Sequence, residues 1–160
     1  MAKRLCTVQQ CPVYNDIGPY FAILANDTHA KVLSIYRGDD AARLLHKHGK
    51  HTQRELYTMF RDGKGNPANP PGYSTHELKS DGSAYKNIPR GKPLPWWCQG
   101  IDVNDADTTK MIAQAKRYGW ILWRPYPTGN EYHHLNFKAR PKPTRATLPR
   151  ILRLRVTLPR

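Results

Sequence analysis

The chain has 160 residues, 39% of them hydrophobic, enough for one domain with a single core and too few for two ordinary ones. Its formal net charge is +14; residues 138–160 hold eight Lys or Arg and no acid, which leaves +6 for residues 1–137 and points to an anionic partner or surface. No run of about 18 apolar residues occurs, and Met1-Ala2-Lys3-Arg4-Leu5 leads into no apolar segment, so neither a membrane span nor a signal peptide is expected.

In chain order, residues 30–36 predict a strand, rich in β-branched and aromatic residues, with Arg37 at its end. Asp39 or Asp40 can cap a short helix to about His48, with Ala41, Ala42, Leu44 and Leu45 as its apolar face. Thr52-Gln53-Arg54-Glu55 is a capping box; Leu56, Met59 and Phe60 follow at core spacing before Gly63. Glycine, asparagine and proline make residues 62–71 a loop that leads to Ser74-Thr75-His76, and residues 77–97 continue irregular. Residues 99–103 predict a short strand. Asp105 or Asp107 then caps a helix carrying Met111, Ile112, Ala115 and Tyr118, closed by Gly119. Residues 120–123 read as a buried strand, Pro125, Pro127 and Gly129 as a turn, and residues 131–137 as the last strand. This order suits an α+β domain over residues 1–137, a small antiparallel sheet with flanking helices. Beyond it, prolines alternate with arginines and Thr-Leu-Pro-Arg occurs at both 147–150 and 157–160, so residues 138–160 read as an extended basic docking tail.

Cys6, Cys11 and Cys98 are odd in number and form no C-x-x-C pair; Cys6 and Cys11 could pair, but reduced thiols are expected, with Cys98 packed beside Trp96 and Trp97. His46, His48 and His51 span a helix end and the next helix start without a carboxylate in a fitting place, and read as surface residues. His76, Asp102 and His134 differ. Two imidazoles and a carboxylate can fill three places on a zinc ion and leave the fourth for water, whose pKa the ion lowers to about 7. Glu131, three residues before His134, could then serve as general base.

Three segments carry a resemblance. Asn69-Pro70-Pro71-Gly72-Tyr73-Ser74-Thr75-His76-Glu77, Gly100-Ile101-Asp102-Val103 and Glu131-Tyr132-His133-His134 resemble, in order, the ligand segments of VanY-type D-alanyl-D-alanine peptidases, zinc peptidases of bacteria and phages that share the hedgehog fold. Ile35-Tyr36-Arg37 is similar to that family's Gly-Tyr-Arg strand end, and Gln53 to the glutamine that follows it. The resemblance implies that His76, Asp102 and His134 hold Zn2+, that Glu131 is the base, and that Arg37 faces the substrate's carbonyl or carboxylate. Gln53, Ser74, His133 and Trp97 are the implied substrate-side residues.

Two departures leave alternatives open. The family's interval from first histidine to aspartate is short, whereas here it is 26 residues, so Asp81 competes with Asp102; the strand character of residues 100–103 favours Asp102. His133 stands where tryptophan is common, and on a strand His133 and His134 would face opposite ways. Alternation then favours His133 and family position favours His134. The expected function is a zinc peptidase cleaving amide bonds of the peptidoglycan stem peptide, made in a host cytoplasm and acting at the bacterial wall as a phage endolysin or virion-associated lysin. The alternative is a structural phage tail protein docked to a virion neighbour through residues 138–160. A nuclease is disfavoured, because the His133-His134 pair resembles an HNH motif but no histidine follows it, so no specific nucleic acid is expected as partner.

Overall fold

The computed structural model describes residues 4–79, 94–126 and 131–157 and shows an α+β domain. Asp81, Pro127 and Gly129 lie outside the described residues. The chain opens with a hairpin of β1 (Leu5–Val8) and β2 (Cys11–Tyr14), paired from Leu5↔Tyr14 to Val8↔Cys11. Its two-residue turn puts Gln9 and Gln10 at φ of 48° and 66°, the conformation that suits the twist of paired strands. The Gln9 amide also clamps the start of the next strand, donating to the Ala30 carbonyl (2.8 Å) and accepting from the Val32 N–H (2.9 Å).

Helix α1 (Gly18–Thr28) begins with proline in its first turn and ends at His29, in the left-handed region. Gly18 to Phe21 and Ile23 to Ala25 are buried, so the helix runs through the core and is covered on most sides. A four-stranded antiparallel sheet lies against it in the order β3 (Val32–Ser34), β4 (Ile101–Val103), β6 (His134–Phe137), β5 (Leu122–Trp123). Side chains alternate across this sheet. Ile101, Val103, Leu135 and Phe137 join the core with α1, where Phe21 stacks on Phe137 at 5.0 Å between ring centres. Asp102 and His134 are the alternate residues on the same two strands and stand directly opposite one another in the register.

Helix α2 (Ala42–Lys47) follows a 3-10 turn at Asp39–Ala41, and α3 (Gln53–Arg61) starts from the expected capping box at Thr52 and Glu55. Leu56 and Met59 of α3 are only half-buried, and Phe60 is exposed; they do not enter the core, contrary to the spacing argument. Helix α4 (Asp105–Arg117) is preceded by Asn104 at the cap position, with Asp105 and Asp107 in its first turn, and Gly119 (φ 72°) closes it. Residues 120–123 alternate: Trp120 and Leu122 are buried, Ile121 and Trp123 exposed. They form a half-covered edge and not a fully buried strand. All three cysteines are free and buried, and burial pushes the Cys6 and Cys98 thiols up to about 12. No helix among the described residues is long and apolar enough to cross a membrane.

The largest difference from expectation is at the C-terminus. Residues 148–157 are helix α5 (Leu148–Thr157), not an extended segment. Thr144 and Thr147 exchange hydroxyl and N–H bonds before it, and Pro149 falls in its first turn, where the missing N–H costs nothing. Ile151 is 1% exposed within the main core, and Arg150 pairs with Asp27 of α1, which also accepts from Tyr118. Upstream, the Trp120 indole N–H donates to the Lys142 carbonyl at 2.7 Å. The described part of 138–160 is therefore built into the domain. Replacing Ile151 by alanine should lower the unfolding free energy by about 2–4 kcal/mol, and Leu152→Ala, at an exposed position, by less than about 0.5 kcal/mol. Denaturant titration reads both; equally small losses would mean that α5 does not hold this place in solution.

Candidate metal centre

His76 sits in a 3-10 turn, Thr75–Glu77, that the backbone ties down on two sides. The Arg37 N–H donates to the His76 carbonyl (2.7 Å) and the Gly100 N–H to the Thr75 carbonyl (3.3 Å), so the turn bridges the chain just beyond β3 and just before β4. The Ser74 hydroxyl accepts from the His76 N–H at 3.3 Å. Within this frame His76 Nδ1 lies 2.5 Å from the Ile35 carbonyl oxygen. A carbonyl only accepts, so Nδ1 carries the proton and the lone pair is on Nε2.

That Nε2 lies 3.0 Å from Asp102 Oδ1 and 3.0 Å from His134 Nδ1, and the last two atoms are 2.8 Å apart. The three residues form a buried group that could hold a metal ion. The donor chemistry fits. His76 Nε2 and Asp102 Oδ1 offer only lone pairs, so at most one proton, on His134 Nδ1, is shared among three atoms. A cation satisfies all of them. Thr75 Oγ1, 3.1 Å from His134 Nε2, can donate to that nitrogen or accept from it, and so serves His134 whether Nδ1 carries a proton or binds an ion. Tetrahedral bonds of about 2.0–2.1 Å imply donors roughly 3.3 Å apart, an opening of a few tenths of an ångström from the distances here.

The electrostatics agree. Burial, helped by the Arg37 charge, brings the His76 pKa down to about 4 against the pull of Asp102, so the ring is neutral at pH 7. Burial alone would raise Asp102; the charge His76 gains once it protonates, the hydrogen bond from His134 and the Arg37 charge overcome it and hold the carboxyl well below the usual carboxylate range. Arg37 Nη1 is 3.7 Å from Asp102 Oδ2, and burial lowers its own pKa while Asp102, Glu131 and Glu77 oppose the change.

These residues lie in a cleft of about 860 Å³ that Arg37, Gln53, Ser74, Glu131 and His133 also line. Gln53 is buried, its amide donating to the Asn69 carbonyl (2.8 Å). Ser74 serves as the cap of the His76 turn. Glu131 is exposed in a turn closed by the His134 N–H on its carbonyl (3.0 Å). Trp97 does not line the cleft; Trp96 and Trp97 pack against the main core, as bulky apolar rings commonly do. The alternation argument for the histidine pair fails because β6 starts at His134, which leaves residues 131–133 in a turn. His134 makes the close contact with Asp102, while His133 Nε2, 3.9 Å from Asp102 Oδ1, flanks it.

Thr75 and Gly100 were not singled out in the sequence. A Cβ on Gly100 would stand on the His134 ring and 2.7 Å from Thr75 Oγ1. An isolated glycine at a strand start is a known sign of such close approach. Around the other histidines, His46 Nε2 lies 2.7 Å from Glu55 and His51 Nδ1 3.6 Å from it, so a carboxylate does reach that exposed cluster, contrary to the sequence reading. Comparison with models of protein families, with curated proteins and with solved structures finds no match.

Two outcomes follow from this geometry. Gly100→Ala should weaken metal binding at least tenfold, read by competition with a chromophoric chelator, because the new methyl displaces the His134 ring; unchanged affinity would refute the close-approach argument. In metal-free protein, stability should fall as pH drops from about 6.5 towards 4. Over that window the unfolded chain takes up a proton on His76 that the folded one refuses, a slope of at most about 1.4 kcal/mol per pH unit. Below about pH 4 this contribution stops changing, and Asp102, held ionised in the fold, adds to the loss only towards the lower end of the window, where the unfolded carboxyl begins to protonate. His76→Gln should flatten the slope in a pH series of denaturant titrations, and an unaltered slope would assign it to other groups.

Proposed function

We propose that this chain is a zinc-dependent peptidase with a hedgehog-like fold, related to the VanY-type enzymes, that cleaves amide bonds of the peptidoglycan stem peptide. One observation carries the reading: two imidazoles and a carboxylate converge with lone pairs inward in a cleft that Arg37 and the exposed Glu131 also line. A phage lysin, either free or carried on a virion, is the setting that the sequence resemblance supports.

His76, Asp102 and His134 would hold the ion, and zinc bound there would supply Lewis-acid activation of water and of the scissile carbonyl. Glu131, exposed in the cleft wall, takes the proton of the attacking water on its carboxylate and returns it to the departing amine nitrogen. Arg37, cationic and largely desolvated, faces the negative charge that develops on the carbonyl oxygen. The Arg37 Nε and the Gln53 Oε1 are buried without a partner among the described residues. Ser74 and His133 would contact the substrate from the two sides of the centre.

The test is mass spectrometry of peptidoglycan fragments after digestion by zinc-loaded wild type and Glu131→Ala. Wild type should release stem-peptide fragments, and the variant should do so about 10²–10⁴-fold more slowly while still binding zinc. Identical fragment yields from the two proteins would remove Glu131 from the chemistry, and no cleavage by the wild type would remove the peptidase reading.

A further inference from the structure

The turn that carries Glu131 and His133 has three successive carbonyls. Glu131 accepts from the His134 N–H (3.0 Å) and His133 from the Val103 N–H (3.1 Å), so the first and third are held by backbone. The middle one, Tyr132, accepts instead from a side chain: Arg124 Nε at 3.1 Å. The same guanidinium lies over the Tyr132 ring, 3.6 Å from its centroid, and its Nη2 donates to Thr108 Oγ1 at 2.6 Å. Thr108 is fully buried in α4. One planar group thus ties the turn to helix α4, by two hydrogen bonds and a stack that lysine could not reproduce.

We propose that Arg124 is the positioning residue that sets the Glu131–His133 turn against the metal centre. It touches neither the three ligands nor, on the reading above, the substrate. Its effect passes through Tyr132 to the groups on either side. This inference rests on the proposed peptidase reading for its catalytic consequence only; the mechanical claim stands apart from it. Misplacement of a reacting group by about 1 Å costs on the order of a hundredfold in rate.

The experiment uses the full-length, zinc-loaded chain. Arg124→Ala should lower kcat about 10–100-fold with KM within about twofold and zinc still at one per chain. Amide hydrogen exchange should quicken at least tenfold at residues 132–134 and stay unchanged at Ile101 and Leu135. Arg124→Lys should not rescue either readout. Thr108→Val, which removes the anchor and leaves the stack, should show the same pattern more weakly and replaces Arg124→Ala should that variant fail to fold. Wild-type kcat with unchanged exchange would overturn the proposal. So would loss of zinc together with faster exchange across the whole sheet, because Arg124 would then support the fold at large. If wild-type protein never cleaves peptidoglycan, the function proposed above fails, and the exchange result alone decides the role of Arg124.

Discussion

The hydrogen bond from His76 Nδ1 to the Ile35 carbonyl governs the rest of the site. By consuming the only proton of a neutral imidazole, it turns Nε2 into a lone pair aimed at a buried carboxylate and a second histidine. Such an arrangement is electrostatically incomplete: acceptors about 3 Å apart in a poorly hydrated place repel unless something positive lies among them. Arg37, 3.7 Å from the other Asp102 oxygen, partly offsets this without entering the cluster. A divalent ion would resolve it, and whatever binding free energy it contributed would become folding free energy for the strands that carry these groups.

The three candidate ligands and the residues that flank them come from structurally different places. Asp102 and His134 face each other across adjacent central strands, whose opposite sides are anchored by Ile101 and Leu135 in the core. His76 comes from a 3-10 turn, but one whose backbone is bonded to the chain at Arg37 and Gly100. Ion-binding groups need fixed geometry, and all three have it. Glu131 and His133 instead sit in the turn before β6, exposed or half-exposed, which suits the proton-moving and substrate-side roles proposed for them above. A strand beginning three residues earlier would have carried Glu131 and His133 on one face and removed that separation.

Much of the site was legible because it is local. Pro-Gly-x-Ser-x-His, Gly-x-Asp and Glu-x-x-His each sit in a short segment whose residue types match a known chemistry, and the structure brings the three ligand positions together despite the 26 residues between His76 and Asp102. What was lost depended on tertiary context. Helix α1 is apolar on nearly every side, so it has no amphipathic period to detect. The β1–β2 turn is Gln9-Gln10, without the glycine or asparagine that usually marks a hairpin, and its first residue is held by a side-chain clamp on Ala30 and Val32. Pro149 suggested an extended tail because the sequence alone does not reveal whether a proline falls in a helix interior or in its first turn. Leu56 and Met59 have helical spacing in common with core residues, yet their face meets the cleft. Periodicity identifies a face and not what covers it.

The strong basic charge needs the same separation of pattern from context. Several cations outside the cleft have structural tasks that their count conceals. Arg150 pairs with Asp27 and locks α5 to α1; Arg124 covers Tyr132, Lys138 lies 5.2 Å from the Trp123 ring centre, and Arg140 lies 5.6 Å from that of Trp96. Stacking of this kind shields one face of an aromatic ring while the charge still reaches solvent, so the long-range field survives although the side chain is committed. A field of that sign raises the local concentration of any polyanion, wall polymer and nucleic acid alike, and cannot choose between them. Discrimination has to come from the cleft, where an anion approaching Arg37 must also approach Asp102 and Glu131. There Arg37 and Lys64 balance Asp102 and Glu131 in formal charge, so the cleft adds no net attraction of its own and the field of the rest of the chain is what an anion meets first.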